Sequence, residues 1–511
     1  MSVREHWSSR TAFVLAAVGS AIGLGNLIRF PYICATNGGG AFLIAYVVAL
    51  LTSGIPIMIL EFGLGHISEG SAPKAFRRIH PRLEWLGWIA SGVGFFIVVY
   101  YSVIMAWSFS YLWDSFSIRQ WAPDAAAAGS HFSNTVGVAV AADKFDFGGF
   151  QWGLLISLVL TWIGIVACVW RGATTVSKVV YGTVLVPWLI LIVFVVRGIT
   201  LPGAIDGLKV YLIPDFRMLL KPSVWLAAYT QVFFSLTIGF GVMIAYASYL
   251  PRKSDLVKNA VIICIADSLT AFVAGLAVYG CLGYLSGKSG VPLDELPVKG
   301  LGLAFIAYPQ IIVNLPFGAT AFAVLFFLML VTLGIDSAFS LLESFAAAVR
   351  DKWNLQHWQA NLSVAVVGFV LGLPLITSAG LYWIDTMDHF LTFYGLGVVA
   401  LLECLVISDV FACERLRRHI NNISDVKAPV LWDVMIMAIA PAALIAFIAA
   451  ETYERFTQSY EGYPRSLEFY AGWLVLILIF VIARVFHALP WAKPKESETV
   501  LEKFEDTPRQ G

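Results

Sequence analysis

Charged residues are scarce in this chain of 511 residues. They make up 13% of it, whereas hydrophobic residues make up 59%, and 33 basic residues balance 33 acidic ones. So little charge, with no excess of either sign, excludes the basic surface of a nucleic-acid-binding protein and the polar surface of a soluble domain. The composition predicts an integral membrane protein that lies in a lipid bilayer and has no nucleic-acid partner.

Signals for several other protein classes are also missing. The six cysteines lie in or at the ends of hydrophobic segments, and the loop from 114 to 150 has neither a cysteine nor an Asn-x-Ser/Thr sequon. We therefore expect no disulfide framework and no cysteine metal site. The chain also lacks the Gly-x-x-x-x-Gly-Lys-[Ser/Thr] loop that binds ATP. Its eight histidines are mostly near loops or segment ends, which argues against a membrane-embedded enzyme.

Long hydrophobic segments are what the chain has in abundance. A bilayer core about 30 Å thick needs roughly 20 apolar residues of helix to cross it. Twelve segments meet or nearly meet that length, near 11–36, 41–65, 86–113, 151–170, 177–196, 225–250, 257–285, 317–349, 359–377, 385–412, 431–453 and 467–489. They do not alternate in polarity as the strands of a membrane barrel do. We expect an all-α integral membrane protein with twelve transmembrane helices.

Basic residues in the connecting loops indicate the orientation. Fifteen lie in the loops on one side and ten in those on the other, although the latter loops are longer. The positive-inside rule then places both termini in the cytoplasm. The N-terminal sequence MSVREHWSSR is followed by no small-residue cleavage site, so we expect the first helix to remain in the protein.

The first hydrophobic segment contains SAIGLGNLIRFP (20–31), residues poorly suited to a helix in lipid. A second glycine pair, Gly239 and Gly241, interrupts the sixth segment 216 residues after Gly23 and Gly25. Irregular backbone at membrane depth is tolerated where it lines a cavity, and matched breaks in two five-helix blocks are typical of inverted-repeat transporters. The alternative is that each glycine pair only lets two helices pack closely.

Polar side chains inside the segments are costly unless they are paired or bind an ion. Asn26, Asp267, Asp336 and Ser337 offer oxygen ligands of the kind that a hard cation such as Na⁺ prefers. Three further acids, Glu61, Glu343 and Glu403, are expected in an internal hydrogen-bond network or at segment ends.

Six motifs in order give the chain a wider resemblance. SAIGLGNLIRFP, NGGGAFLIAY (37–46), EFGLG (61–65), Tyr100-Tyr101, QVFFSLTIGFG (231–241) and LGIDS (333–337) resemble the neurotransmitter:sodium symporter family from Arg4 to about Glu403. The resemblance implies the fold of the bacterial leucine transporter and sodium-driven import of small amino-acid-like solutes. It implies a core over 1–412 of two inverted five-helix repeats, two peripheral helices over 413–492, and a cytoplasmic tail over 493–511.

The resemblance also implies two Na⁺ sites. The first would use the carbonyl of Ala21, the side chains of Asn26, Ser235 and Asp267, and the substrate's own carboxylate. The second would use the carbonyls of Gly19, Ile22 and Leu333 and the side chains of Asp336 and Ser337. If the substrate is a ligand of the first ion, each raises the affinity of the other by the same factor.

A substrate pocket is implied as well. The carboxylate would meet the amides of Leu24 and Gly25 and the Tyr101 hydroxyl, and the ammonium would meet carbonyls near Phe234 and Thr237. Glycine at 23, where monoamine transporters carry aspartate, favours a substrate with its own carboxylate. The implied substrate residues are Ala21, Gly23, Leu24, Gly25, Ile97, Tyr101, Phe234, Thr237, Phe240, Ser337, Ala338 and Leu341. No charged group faces the pocket, which predicts a neutral, hydrophobic amino acid.

Two departures from the family pattern carry predictions. Asp267 stands where many relatives have asparagine, and Ala271 stands where chloride-dependent relatives have serine, in a chloride site completed by Tyr46, Gln231 and Ser235. A carboxylate at 267 supplies the negative charge that chloride brings elsewhere, so we predict transport without chloride. Ser177 stands where we expect a glycine ten residues before Pro187, which puts the family's mode of unwinding the fifth segment in doubt.

Gates are implied on both sides of the site. On the outer side Arg29 would face Asp388, with Phe234 and Tyr101 capping the substrate. On the inner side Arg4 would pair with Asp351, assisted by Trp7 and Tyr249. Such pairs need only differ between the two states of the cycle.

Other functions stay open at this point. A proton-coupled carrier would use Asp267 or Asp336 as its proton site, and a GABA- or taurine-type symporter would also keep glycine at 23, although Thr237 leaves less room for an extended backbone. A membrane sensor that does not transport is a third possibility. The loop from 114 to 150 lacks the cysteine and glycan signals of animal relatives, which predicts a microbial cell (inner) membrane. The oligomeric state and the number of ions per cycle stay open.

Overall fold

The computed structural model describes residues 6–138, 145, 147–293, 296, 300–315 and 317–492. Arg4 of the predicted inner gate and the predicted tail over 493–511 lie outside these residues. In chain order the helices are α1 (Arg10–Ala21), α2 (Leu24–Thr36), α3 (Gly40–Ser68), α4 (Ala72–Ile79), α5 (Pro81–Trp121), α6 (Ala125–Val136), α7 (Trp152–Val169), α8 (Ala173–Ile199), α9 (Ala204–Leu212), α10 (Pro222–Ser235), α11 (Val242–Ala247), α12 (Leu256–Ser289), α13 (Leu303–Val313), α14 (Ala319–Trp353), α15 (His357–Ile376), α16 (Gly380–Phe411), α17 (Cys413–Ile423), α18 (Val430–Gly462) and α19 (Arg465–Ala488).

The all-α membrane architecture is confirmed. Within the described ranges ten continuous helices are long and apolar enough to cross a membrane: α3, α5, α7, α8, α12, α14, α15, α16, α18 and α19. Helices α1 and α2 together form an eleventh crossing that bends by 52° at its break. The segment predicted near 225–250 is also broken, into α10 and α11 separated by residues 236–241.

The first break follows from its sequence. Helix α1 ends at Ala21, and Ile22 and Gly23 adopt extended backbone angles. The Asn26 Oδ1 atom accepts a hydrogen bond of 3.0 Å from the Gly23 N–H, so the start of α2 is capped by its own asparagine. The polar residue that is unfavourable in lipid therefore stabilises the interruption.

The second break depends on backbone that side chains rarely tolerate. Gly239 and Gly241 have φ angles of +83° and +68°, and Thr237 between the two helices has a φ of +56°. The Glu61 Oε1 atom of α3 accepts a 2.7 Å hydrogen bond from the Gly239 N–H. One of the three acids expected in an internal network thus satisfies a backbone group that unwinding leaves free.

The broken helices lie inside the bundle. Helix α1 packs against α8, α12 and α14, and α11 packs against α3. Helix α5 packs along α14, and 83% of its apolar window is buried, compared with 28% in α18 and α19. The breaks are therefore shielded from lipid, as irregular backbone at membrane depth requires.

Candidate functional site

The two breaks meet at one backbone carbonyl. The Thr237 hydroxyl donates to the Ser20 carbonyl at 3.1 Å, and the Ser337 hydroxyl of α14 donates to the same oxygen at 3.2 Å. The end of α1, the loop between α10 and α11, and the middle of α14 are thereby joined. The elements that the sequence places in one site lie together.

A cavity of about 50 Å³ lies between these elements. Its lining residues are Ser20, Ala21, Gly23, Leu24, Gly25, Asn26, Ile97, Tyr100, Tyr101, Phe234, Ser235, Thr237, Phe240, Ser337 and Leu341. This set contains all of the predicted substrate residues except Ala338, which is fully buried beside it. Ser20 and Tyr100 were not assigned to the pocket from sequence. Tyr100 had a signal, because it adjoins Tyr101, whereas the Ser20 carbonyl has no signature in a side-chain pattern.

One end of the cavity is formed by bare backbone. A methyl group on Gly23 would lie 2.8 Å from the Ser337 hydroxyl, and one on Gly25 would lie 2.9 Å from the Phe234 ring. Glycine at both positions lets the chain approach these side chains so closely without displacing them. The Leu24 N–H, at the start of α2, donates to the Tyr101 hydroxyl at 3.3 Å. Backbone N–H groups at a helix start and a phenol together suit a carboxylate.

Asp267 sits in a polar cluster beside this cavity. Its Oδ1 accepts a 2.7 Å hydrogen bond from the Asn26 amide, and its Oδ2 accepts one of 2.7 Å from the Ser235 hydroxyl. The Asn26 amide also lies 3.3 Å from the Ser235 hydroxyl. Asn26, Ser235 and Asp267, three of the predicted ligands of the first ion, are thus in direct contact. The fourth, Ala21, lines the adjoining cavity.

Of the residues that the resemblance assigns to a chloride site, Ser235 contacts the same aspartate and Ala271 lies one turn after it on α12. The Tyr46 hydroxyl lies 3.2 Å from the Ser268 hydroxyl, and Ala271 is fully buried. Gln231 is also buried, and its amide makes no hydrogen bond to any residue that the structure describes. The carboxyl group of this cluster is the Asp267 side chain.

Asp336 on α14 has a different environment. It is 1% exposed, yet neither of its carboxylate oxygens has a hydrogen-bond partner among the residues described. A methyl group on Gly19 would lie 2.7 Å from Asp336 Oδ2, so the backbone of α1 lies close to the carboxylate at this point. The Thr183 hydroxyl approaches Asp336 but donates to the Val179 carbonyl at 3.2 Å. Buried carboxylate oxygens without donors are suited to a bound cation.

The remaining predicted ligands of the second ion lie on α14 and just after the end of α1. Ser337 follows it on α14, with its hydroxyl on the Ser20 carbonyl. Ile22 and Leu333 line one small cavity of about 10 Å³ next to Pro187 of α8. At Ser177 helix α8 is continuous, and the serine hydroxyl donates to the Ala173 carbonyl at 2.6 Å.

On the predicted outer side the gate residues are arranged differently from the expectation. Arg29 lies over the Phe234 ring, with its Cζ 4.7 Å from the ring centre, and Asp388 accepts a 2.6 Å hydrogen bond from the Tyr100 hydroxyl. Across the described ranges no Arg29–Asp388 ion pair forms within 4.0 Å. Each charged group has another partner here, an aromatic face for Arg29 and a phenol for Asp388, and the pairing of the two in another state of the cycle stays a prediction.

On the predicted inner side the N-terminal segment is packed against the end of α11. The Trp7 indole donates to the Tyr246 carbonyl at 2.9 Å, and the Trp7 N–H donates to the Tyr249 carbonyl at 3.2 Å. The Tyr249 hydroxyl donates to Glu343 at 3.0 Å and receives a hydrogen bond from Arg350. Glu343 and Arg350 were not predicted as gate residues.

Asp351, the predicted partner of Arg4, accepts a 2.8 Å hydrogen bond from the Ser71 N–H. The backbone before α4 therefore contacts the end of α14 on this side.

Known proteins are similar in sequence to this chain over most of its length. Residues 4–493 match the model of the Sodium:neurotransmitter symporter family. The chain is 41% identical over 492 residues to an uncharacterized sodium-dependent transporter of Methanocaldococcus jannaschii, covering 96% of this chain and 99% of that protein. It is 35% identical over 476 residues to the sodium- and chloride-dependent GABA transporter 2 of Rattus norvegicus, covering 87% and 79% of the two chains. For the Homo sapiens protein of the same name the identity is 35% over 465 residues, covering 84% and 77%. The resemblance is confirmed: the chain belongs to the sodium:neurotransmitter symporter family and is a sodium-dependent, multi-pass membrane transporter.

Proposed function

We propose that this protein imports a neutral amino acid with an apolar side chain together with Na⁺, and that it does so without chloride. The observation that carries the proposal is the cavity between the helix breaks. It has backbone N–H groups and the Tyr101 hydroxyl at one end, apolar Ile97, Phe240 and Leu341 elsewhere, and no charged residue in its lining. An unpaired charge on the substrate side chain is strongly disfavoured there.

Two Na⁺ sites are part of the proposal. The first ion is held by the Ala21 carbonyl, the Asn26, Ser235 and Asp267 side chains and the substrate carboxylate. The second is held by the Gly19, Ile22 and Leu333 carbonyls and by Asp336 and Ser337. Each ion gains about 2.3 kcal/mol by crossing a potential of ~100 mV inward, and a tenfold gradient adds about 1.4 kcal/mol. Two ions therefore supply roughly 7 kcal/mol to concentrate the substrate.

The architecture proposed for this activity has two five-helix repeats of opposite orientation over 1–412, with the helices over 413–492 at the periphery. Both termini face the cytoplasm, as the excess of basic residues in the inner loops requires. The membrane proposed is that of a microbial cell.

GABA is the second candidate substrate, because the relatives from rat and human are named as GABA transporters. GABA separates its ammonium and carboxylate by a longer chain than an α-amino acid does. In this chain the Thr237 side chain is fixed across the break by its bond to the Ser20 carbonyl and lines the cavity, where its bulk leaves less room for such a chain. We therefore rank the α-amino acid first.

Thermal stability of the purified protein gives the first test. The twenty amino acids, GABA and taurine are each added in sodium or in choline, since a ligand bound together with the ion stabilises the fold only when both are present. We expect stabilisation by neutral apolar amino acids in sodium alone. Stabilisation by GABA and by no α-amino acid would favour the second candidate. Equal stabilisation in choline would contradict sodium coupling.

Uptake into proteoliposomes separates the other functions. Import that needs sodium, and is unchanged when gluconate replaces chloride, is the expected result. Import that persists in choline and follows a proton gradient would indicate a proton-coupled carrier. Sodium-dependent binding with no import would indicate a sensor.

A further inference from the structure

A large groove on the lipid-facing surface is separate from the transport site. It has a volume of about 790 Å³ and lies between α7, the beginning of α8, and α15. Its lining residues are Val159, Trp162, Ile163, Val166, Ala167, Trp170, Arg171, Thr174, Thr175, Lys178, Leu362, Ala365, Val366 and Phe369. Grooves of this size accommodate an organic ligand.

Most of the groove is an apolar slot. The residues that line it along α7, from Val159 to Trp170 directly after the helix end, recur every three or four positions and so form one face of the helix. Eleven residues of helix span about 16 Å, roughly half of a hydrocarbon core about 30 Å thick. The slot therefore has the length of one leaflet. Ile163 and Val366, on opposite walls, are 59% and 53% exposed, so the slot is open to the acyl chains.

The loop end of the groove has the opposite character. Arg171, Thr174, Thr175 and Lys178 line it, and the lining contains no acidic residue. Arg171 and Lys178 are exposed, and within the part of the chain that the structure describes neither side chain forms an ion pair or a hydrogen bond. The Arg171 N–H donates to the Thr175 hydroxyl at 3.2 Å, which fixes the turn that carries the cations. Two uncompensated positive charges beside hydroxyl groups suit a phosphate.

A second lipid-facing groove provides the contrast. It has a volume of about 320 Å³, and Trp88, Phe95, Trp353 and Phe486 are among its lining residues. None of its lining residues is charged. Lys352 beside it is fully buried and paired with Glu84 at 2.6 Å, so its charge is already compensated. A lipid bound in this second groove would find no charged side chain that could distinguish one headgroup from another.

We propose that the groove between α7, α8 and α15 binds an anionic glycerophospholipid. One acyl chain lies in the slot along α7 and α15, and the phosphate lies between Arg171 and Lys178. The lipid belongs to the leaflet that contacts the loop from 170 to 172. Charge complementarity selects this occupant, because a zwitterionic headgroup brings its own cation to a site that already holds two.

Native mass spectrometry of the full-length protein in detergent tests the proposal. The protein is titrated with phosphatidylglycerol and, separately, with phosphatidylcholine of identical acyl chains. We expect one molecule of phosphatidylglycerol to be retained preferentially. In the double variant Arg171→Gln/Lys178→Gln that lipid should bind roughly 30-fold more weakly, since each basic residue near a charged headgroup contributes about fivefold. Both positions are exposed, so folding is checked simply by comparing melting temperatures.

The matched control is Arg252→Gln/Lys253→Gln, which removes an exposed arginine and an exposed lysine outside the groove. It should bind phosphatidylglycerol as the unmodified protein does. A further variant, Ala167→Phe, narrows the slot and should weaken the retained lipid without changing the charge. Equal affinity for the two lipids, or an equal loss in both double variants, would overturn the proposal. Binding that is weakened by Ala167→Phe but not by Arg171→Gln/Lys178→Gln would also overturn it.

Discussion

Asp267 on α12 and Asp336 on α14 are both buried aspartates next to the helix breaks, but their carboxylate oxygens differ in hydrogen bonding. Both oxygens of Asp267 accept short hydrogen bonds, from Asn26 and from Ser235. Neither oxygen of Asp336 has a partner in the described part of the chain. A buried carboxylate with its own donors can remain charged in the absence of an ion, whereas one without donors depends on a cation.

This difference suggests separate roles for two residues that the sequence presents alike. In the proposed function Asp267 supplies the negative charge of the cluster around the first ion, in the place of the chloride that other members of the family use. Asp336 is the residue whose burial is compensated only when the second proposed ion binds. Changing each carboxylate to its amide keeps size and removes charge, so the pair of variants tests the comparison directly.

The largest effect is expected for Asp336→Asn. Removing the charge from a ligand with no other partner should weaken Na⁺ binding by about 100-fold or more, because the loss of one partner of a buried charge pair has an effect of that size. The variant has no unpaired buried charge, so in choline it should melt at the same temperature as the unmodified protein or higher. Sodium titrations of melting temperature and of uptake measure both effects.

The control for that experiment is Asp206→Asn, whose side chain is 75% exposed and pairs with Lys209. It should leave the sodium titration unchanged. If Asp336→Asn melts lower in choline and keeps its response to sodium, Asp336 is a structural residue and the comparison fails.

A smaller effect is expected for Asp267→Asn, because an amide can keep one of the two hydrogen bonds. Sodium affinity should fall by about tenfold, which corresponds to ~1.4 kcal/mol. The lost charge also leaves Tyr46, Gln231 and Ser235 without an anion, so uptake should become stimulated by chloride. Uptake is compared in chloride and in gluconate at constant sodium. Full activity in gluconate would show that Asp267 does not substitute for chloride.

Thr237→Gly changes selectivity more than affinity for sodium. Glycine adopts the +56° φ of this position without strain, which offsets the lost hydrogen bond to Ser20, and the change makes room across the break. We expect GABA to become a competitor of amino-acid uptake. Thr237→Ser keeps the hydroxyl and removes only a methyl group, so it serves as the matched control. If GABA competes equally in both variants, the bulk of Thr237 does not determine selectivity.

The sequence predicted the breaks and most of the pocket because both depend on local chemistry. Gly239 has a positive φ, and at position 23 a side chain would have to displace the Ser337 hydroxyl, so both positions favour glycine and are visible in the residue type. The partners of charged side chains were less predictable. The sequence predicted that Arg29 would face Asp388, but in the structure the Tyr100 hydroxyl contacts this aspartate. Which of the two side chains contacts Asp388 depends on how the helices pack, and no single residue specifies that packing. The same holds for the Ser20 carbonyl, since every residue has one.

Asp388 extends the comparison to a partly exposed aspartate that does have a donor, and it carries the smallest expected effect. Tyr100→Phe removes the 2.6 Å hydrogen bond and frees the carboxylate, while Arg29 keeps its place over Phe234 unless Asp388 attracts it. A cation–π contact at such a site is worth about 0.5–1 kcal/mol and a partly exposed ion pair about as much, so the two arrangements are close in free energy. We expect the KM for substrate to change by less than about fivefold, since 1 kcal/mol corresponds to roughly that factor. A separate double-mutant cycle compares Arg29→Gln, Asp388→Asn and the two changes together. A coupling energy near zero would mean that Arg29 and Asp388 never interact during the cycle, whereas a measurable coupling would show that they pair in a state other than this one.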